Sequence, residues 1–338
     1  MGRWGLQVAQ LTYRESVSLA IAQAMRKDPK VFFIGEDVGA AGGVFKATVG
    51  LLDEFGKERV MDAPISEQAI LGAAMGAAMT GLRPIAEIMF SDFLAVCWDI
   101  IANQIAKTRY MSDGQINIPL VIRTANGGGS KFGAQHSQSL ENWSMMIPGL
   151  KVVAPSCSSD VLGLMDASVK DPDPVIFYEH KSLYASKEEL ENTNLSIPLG
   201  QANILHKGGD ITIIGLALMA QRSKKAAEIL KEKHNINAKV IDLRTLVPLD
   251  LQTIKRSINE TGLVMTVEEN PRLCGWGAEI SSLITEQCFS NLKGPVTRIT
   301  TPHVPLPSAD ILEDNTIPSV DLIVNEVIKK VKGEQLWK

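Results

Sequence analysis

Cysteine is scarce in this chain: Cys97, Cys157, Cys274 and Cys288 are the four among 338 residues, and no two form a C-x-x-C pair. Neither a zinc site nor a disulfide framework fits that spacing, and a reducing, cytoplasmic setting does. No apolar run is long enough to cross a bilayer. The N-terminal MGRWGLQVAQL lacks the apolar core of a signal peptide and the repeated arginines of a transit peptide. Leu6 stands where a myristoylation signal would have Ser or Thr. The formal net charge is only −4, with no basic tail and no arginine stripe, which argues against a nucleic-acid surface. Nucleotide fingerprints are missing too. Gly127-Gly128-Gly129 is followed by Gly133 rather than by the spacing of a dinucleotide loop, and no G-x-x-x-x-G-K-[ST] occurs. There is no G-x-S-x-G elbow, and Ser137 or Ser139 beside His136 is too close in sequence for a working nucleophile–base pair.

What is present is an ordinary globular composition, 45% apolar and 21% charged. Length suggests about two domains. Thr12-Tyr13-Arg14-Glu15 is a capping box that opens a helix running to about Lys27 and stopping at Asp28-Pro29. Short apolar strands follow at 31–35, 85–90, 120–124, 151–154 and 175–178, separated by helical patterns that include a long one over 92–111 and another over 159–169. Strands of about five residues alternating with helices predict a mostly parallel sheet covered on both faces. The stretch 186–200 turns polar and turn-rich, as a linker does. A second series follows, with strands at 211–218, 239–243, 263–267 and 296–299 and helices at 220–233, 249–261, 278–289 and 319–331. The predicted fold is therefore α/β, two doubly wound domains at 1–185 and 201–338 joined by a linker at 186–200.

The organising stretch is Asp62 to Gly81, DAPISEQAILGAAMGAAMTG. Ser66 is placed to cap a helix that opens at Glu67. Ala69, Gly72, Ala73, Gly76, Ala77 and Thr80 share one face at steps of three and four. Each glycine inside a helix costs roughly 1 kcal/mol relative to alanine, which suits a face that another backbone or a flat ligand approaches. Glu67 is a lone carboxylate at the mouth of an apolar helix, and desolvating it calls for a specific partner. A plain packing helix, with Glu67 favoured at its N-terminus by the helix dipole, is the simpler reading of the same residues.

In doubly wound sheets ligands sit beyond the carboxyl ends of the strands. Four loops occupy such ends: Glu36-Asp37 with its glycines, Ile65-Ser66-Glu67, the Met89–Phe93 turn, and GGGSKFGAQHS with His136. A lone histidine in a glycine loop is equally well explained as a group that satisfies loop carbonyls.

The runs DAPISEQ, GLRPIAE, MFSDF, RYMSDG and GGGSKFGAQHSQSLENW resemble the beta subunits of the first component of 2-oxo acid dehydrogenase complexes. The resemblance spans nearly the whole chain and is of the pyruvate and acetoin dehydrogenase type, with AMRKDPKV and AQHSQSLE leaning toward acetoin. It implies a transketolase-like pyrimidine-binding domain followed by a transketolase C-terminal-like domain. It also implies thiamine diphosphate as cofactor. By that resemblance Glu67 hydrogen-bonds a ring nitrogen of the aminopyrimidine and favours the imino tautomer that creates the thiazolium ylide. A carboxylate in a dry pocket suits such a bond. Ile65 lies against the pyrimidine, Phe93 packs on it, and Glu36 stands near the cofactor on a proton path. His136 faces the reacting carbon while the acyl group moves to a lipoyl sulfur. The resemblance further implies a structural potassium ion at the positions of Leu120, Ser168, Val169, Asp171 and Asp173. Ser168 and Asp173 depart from the family pattern, and KDPDP reads equally as a helix-ending turn.

The metal-binding G-D-G…N motif that thiamine diphosphate enzymes use is missing; Gly208-Gly209-Asp210 only precedes a strand. The chain is thus expected to carry half a site. An alpha subunit would hold Mg²⁺ and the diphosphate in an alpha2beta2 heterotetramer. Transketolase-type enzymes with both halves in one chain are longer. Expected partners are that alpha subunit, a lipoyl-bearing acyltransferase component and a small-molecule substrate, with no nucleic acid and no membrane. The substrate is acetoin, pyruvate or a branched-chain 2-oxo acid. The alternative from another class is a cofactor-free binding or scaffold protein of the same fold, against which intact Glu67 and His136 argue.

Overall fold

The computed structural model describes residues 9–333, so most of the N-terminal stretch read for targeting signals lies outside the described residues. Two compact units emerge. One runs up to Ala125 and includes Ile147–Leu199; the other joins Asn126–Met146 to the chain from Gly200 onward.

In the first unit the strands are β1 (Ala9–Thr12), β2 (Val31–Gly35), β3 (Val60–Asp62), β4 (Arg83–Phe90), β5 (Val121–Asn126), β6 (Lys151–Val153), β7 (Val175–His180) and β8 (Lys187–Leu190). The main sheet has the order β6-β7-β5-β4-β2-β3. Its pairs β2–β3, β2–β4, β4–β5 and β6–β7 are parallel. The strands are apolar because both sheet faces are covered, and Val31, Phe33, Ile85, Ile122 and Phe177 are fully buried. The capping box forms as expected: Thr12 Oγ1 accepts from Glu15 N, and Thr12 N donates to Glu15. It starts the helix Tyr13–Lys27.

Three sequence expectations change here. The stretch 92–111 is not one long helix. Ser91–Ala95 is a 3₁₀ turn, Ile100–Ile105 is π-helical, and Thr108–Met111 is one short α turn. The Ala106 N–H reaches back five residues to Ile101 O. Widening the coil there lets Ile101, Ala102, Ile105 and Ala106 all be buried. Second, the 186–200 stretch is not a bare linker. Strand β8 pairs antiparallel with β1. Ile197 N donates to Gly163 O, and a side chain at Gly163 would run into Ile197. Leu190, buried in β8, anchors a segment whose composition looks solvated. Third, Asn126–Met146 keeps its contacts with the C-terminal unit rather than with the first. Gly128 N donates to Glu269, Gly129 N and Lys131 N donate to Glu313 at 3.1 and 3.3 Å, and Asn270 Nδ2 donates to Ser139 O at 2.8 Å.

The second unit holds β9 (Asn203–His206), β10 (Ile211–Gly215), β11 (Ala238–Asp242), the short β12 (Thr245–Val247), β13 (Val264–Pro271) and β14 (Thr297–Thr301). Five of them form a sheet ordered β14-β13-β10-β11-β9, parallel except for β9 against β11. Helices Leu218–His234, Leu251–Thr261, Trp276–Cys288 and Val320–Lys332 accompany it. The fold is α/β with mostly parallel sheets, as the alternation of elements predicts. Among the described residues no helix is long and apolar enough to cross a membrane.

Candidate cofactor site

Glu36 immediately follows β2, and Glu67 opens the helix Glu67–Met79. Both are buried, at 8% and 7% exposure. They lie close enough for their charges to act on each other. Burial comes first, then the charges of Glu67 and Asp37, and together they raise the Glu36 carboxyl above its ordinary range. The backbone N–H of Ser66 donates to it and opposes the rise. Oε1 of Glu36 is buried without a hydrogen-bond partner among the described residues. A buried carboxylate oxygen with no donor calls for one from outside the chain.

The expected Ser66 cap is not made. Its side chain forms no capping bond, and its φ of −168° and ψ of 79° turn the residue away from that geometry. Its own N–H donates to Glu36. Ile65, one residue earlier, projects 84% exposed. The small-residue face of the following helix is also open. Ala69, Ala73, Gly76 and Thr80 are exposed, while Ile70, Leu71, Ala74 and Ala78 pack inward.

Phe93 stands on the 3₁₀ turn after β4 and meets Phe90 edge-on at 5.5 Å between centroids. The Cys97 thiol donates to Phe93 O and Leu94 O at 3.6 Å. Burial, then the charge of Glu67, pushes that thiol up to about 12, so Cys97 is a neutral packing group beside the Glu67 carboxylate. The structure thus brings Glu36, Glu67 and the Phe93 turn into one region at the carboxyl end of the first sheet.

His136 lies in the other unit, half-buried, on the loop between β5 and the helix Glu141–Met145. Gly133 O accepts its N–H at 3.4 Å. Gly128 cannot carry a side chain, because a Cβ there would fall 2.7 Å from Ile317 and 2.9 Å from Leu306. The same unit holds a cleft of about 540 Å³ whose lining includes Ser137, Ser139, Trp143, Glu269, Cys274 and His303, and no lysine or arginine. Sequence pattern did not foretell this cleft, since its walls come from segments more than a hundred residues apart.

The five positions named for a potassium ion gather around one loop, and each makes bonds within the chain. Leu120 O accepts from Val175 N. Val169 O accepts from Arg83 at 2.7 Å. The Asp171 carboxylate pairs with Lys151 at 2.6 Å, and Asp173 pairs with Arg109. The Ser168 hydroxyl donates to Leu164 O. Three cationic side chains, Arg83, Lys151 and Arg109, therefore meet that loop. The Asp210 carboxylate of Gly208-Gly209-Asp210 accepts from Asn237 N at 2.7 Å, where β10 begins to pair with β11. Among the described residues no cluster of three or more His, Cys, Asp or Glu side chains is arranged to hold a metal.

A buried ion cluster beneath the site was not anticipated. Arg123 of β5 pairs with Glu179 of β7 at 2.7 Å and with Glu87 of β4. Burial works against the Arg123 charge, but Glu179 outweighs it and holds the guanidinium protonated. The signal was legible as a charged residue, Glu87, Arg123 or Glu179, in the apolar interior of each of three strands, RPIAEIMF, VIRTAN and VIFYEH.

These features define a two-unit α/β protein of the transketolase type. The model of the transketolase pyrimidine-binding domain matches residues 9–187, and that of the transketolase C-terminal domain matches residues 200–323. A split-gene transketolase, solved as an inactive beta4 tetramer, superposes with a TM-score of 0.79 over 96% of this chain and 99% of that one, at 22% identity. Closer in sequence is the beta subunit of acetoin:2,6-dichlorophenolindophenol oxidoreductase from Bacillus subtilis, 43% identical over 94% of this chain and 96% of that protein. The pyruvate dehydrogenase E1 component subunit beta of Rickettsia bellii is 42% identical over 95% and 98%. The 2-oxoisovalerate dehydrogenase subunit beta of Bacillus subtilis is 42% identical over 90% and 93%. The chain belongs to this family of acetoin and 2-oxo acid dehydrogenase beta subunits.

Proposed function

We propose that the chain is the beta subunit of a heterotetrameric, thiamine diphosphate-dependent dehydrogenase acting on acetoin or on a 2-oxo acid such as pyruvate. The observation that carries this reading is the buried pair Glu36 and Glu67 at the carboxyl end of the first sheet, with an oxygen of Glu36 unpartnered. A cofactor with ring nitrogens and an amino group supplies the missing donors. Bound there, thiamine diphosphate supplies the carbanion chemistry that no side chain can. The protein's part is orientation and proton control. Glu67 holds a proton at a ring nitrogen, and its burial makes that hydrogen bond strong. Glu36, its proton affinity raised by burial and by Glu67, stands nearby on the proton path. Ile65 and Phe93 present apolar surface to the flat ring. His136 positions substrate oxygen or passes a proton as the acyl group leaves for lipoamide on an acyltransferase component.

The diphosphate and Mg²⁺ fall to an alpha subunit, because this sequence contains no G-D-G motif. The subunit then works in the cytoplasm as half of each active site in an alpha2beta2 assembly. The test is reconstitution with the alpha partner and dye-linked turnover of acetoin, pyruvate and branched-chain 2-oxo acids in parallel. Turnover of one substrate class that requires both subunits and thiamine diphosphate is expected. Glu67→Gln should keep the cofactor bound and slow exchange of the thiazolium proton by at least about 100-fold, the scale for loss of a positioned acid–base group. Exchange at the wild-type rate in that variant, or cofactor-independent activity of this chain alone, overturns the reading.

A further inference from the structure

Four aromatic rings make a continuous path from the buried ion cluster to the turn that bears Phe93. Tyr184, 5% exposed, is fixed by its hydroxyl, which donates to Glu179 at 2.9 Å. Glu179 is in turn held by Arg123. The Tyr184 ring stacks on Phe45 at 5.1 Å with 29° between planes. Phe45 meets Phe90 at 5.5 Å and 75°, and Phe90 meets Phe93 at 5.5 Å and 68°. Lys181 Nζ sits 5.3 Å from the Phe90 centroid, which pins the middle ring from another side. Offset stacking and edge-to-face contacts are directional, so each ring restrains the next.

Phe45 occupies a special place in that path. It stands on the glycine loop that leaves Glu36, whereas Phe90 and Phe93 belong to the end of β4 and its turn. The loop is closed by its own bonds. Gly43 N donates to Asp37 O at 2.9 Å, and Thr48 Oγ1 donates to Val38 O at 2.8 Å. Asp62 accepts from Gly39 N and Ala40 N at 2.6 and 3.0 Å. Through Phe45 this closed loop meets Phe90, the residue at the head of the Phe93 turn.

We propose that Phe45 is a positioning residue that couples the Glu36 loop to Phe93, with Tyr184, Glu179 and Arg123 as its fixed mount. The inference rests on the reading of Glu36 and Phe93 as groups that face thiamine diphosphate. If it holds, removing the ring loosens two walls of the cofactor site together and leaves the proton chemistry of Glu67 in place.

The test uses the reconstituted heterotetramer and the variants Phe45→Leu, Phe45→Tyr and Tyr184→Phe. Phe45→Leu should weaken thiamine diphosphate binding by about tenfold, the scale of one aromatic pair. Turnover at saturating cofactor should fall by less than about twofold, since Glu67 is untouched. Phe45→Tyr keeps the ring and should restore the affinity. Tyr184→Phe keeps the stack and loses only the bond to Glu179, so its shift should have the same direction and be smaller. Amide hydrogen exchange gives a readout independent of the cofactor. In Phe45→Leu, protection should drop at both 38–48 and 91–96. Unchanged cofactor affinity with exchange raised only in 38–48 would mean a loop-packing role and overturn the proposal. A wild-type assembly that binds no thiamine diphosphate would instead sink the functional reading, while the exchange result still judges the coupling.

Discussion

Glu36 feels the charge of Glu67, and the N–H of Ser66, the residue just before Glu67, donates to it. The helix start that presents Glu67 is therefore also the clamp on Glu36. The Ser66 side chain makes no capping bond.

That pairing has a pH signature. Burial, Glu67 and Asp37 raise the folded-state pKa of Glu36 above its unfolded value. Between the two values the native chain binds more protons than the unfolded one, so stability falls as pH rises through that window and stays reduced above it. Glu36→Gln removes the charge and keeps the shape. Its melting temperature should exceed that of the wild type at about pH 8 and match it below the ordinary glutamate pKa of about 4.3. Thermal melts across pH check this; a gain that is the same at every pH would mean that charge is not its source.

His136 should matter to transfer rather than to the first addition. It lies on a glycine loop tied down by Gly128, which is anchored at Glu269. Single-turnover measurements on the assembled enzyme separate the two steps. In His136→Ala, transfer to lipoamide should slow by about 100-fold, the lower end of acid–base contributions, with the first covalent adduct forming at nearly the native rate. An equal loss in both steps would leave His136 only a loop-holding role.

Arg123 is the stability counterpart of these site residues. Its guanidinium is 3% exposed and faces two buried carboxylates, Glu87 and Glu179. Arg123→Met leaves both without their cation, which costs on the order of 3–5 kcal/mol in comparable buried pairs. Denaturant unfolding should show that loss near neutral pH. A loss below about 1 kcal/mol, the range of an exposed pair, would show that water reaches the cluster.

The alternation of apolar strands and helices was readable because each strand of a covered parallel sheet must be apolar on both faces. The carboxylates Glu36 and Glu67 were readable for the same reason: they interrupt apolar runs at strand and helix ends. The stretch after Phe90 misled because Phe93, Leu94, Cys97, Ile101 and Ile105 keep helix-like spacing. Periodicity does not record that the hydrogen bonds there change pitch, from three residues at Cys97 to Leu94 to five at Ala106 to Ile101. The helix of small residues left open which side the chain itself covers. Ala and Gly pack well but do not by themselves say which side is covered, and it is the Ile70–Leu71 side that is buried. Phe45 gave no signal at all, because its role depends on Tyr184, far away in sequence.

The exposed small-residue face yields the sharpest separation of folding from assembly. A Cβ at Gly76 would meet nothing within 4 Å, and one at Gly72 would meet only Ile100 Cδ1 at an ordinary 3.5 Å. Within the chain neither glycine is required by packing or by a positive φ. Alanine at either position should then raise the stability of the isolated chain, each by up to about 1 kcal/mol from helix propensity. If the face is where the alpha subunit approaches, a larger side chain should do the opposite to the complex. Gly76→Leu should leave the isolated chain at least as stable, since its side chain projects into open space. It should weaken heterotetramer formation by about 1–3 kcal/mol through overpacking. Thermal melts of the free chain and sedimentation of the reconstituted pair measure the two effects separately. Unaltered assembly in both Gly72→Leu and Gly76→Leu would place the subunit contact elsewhere on the chain.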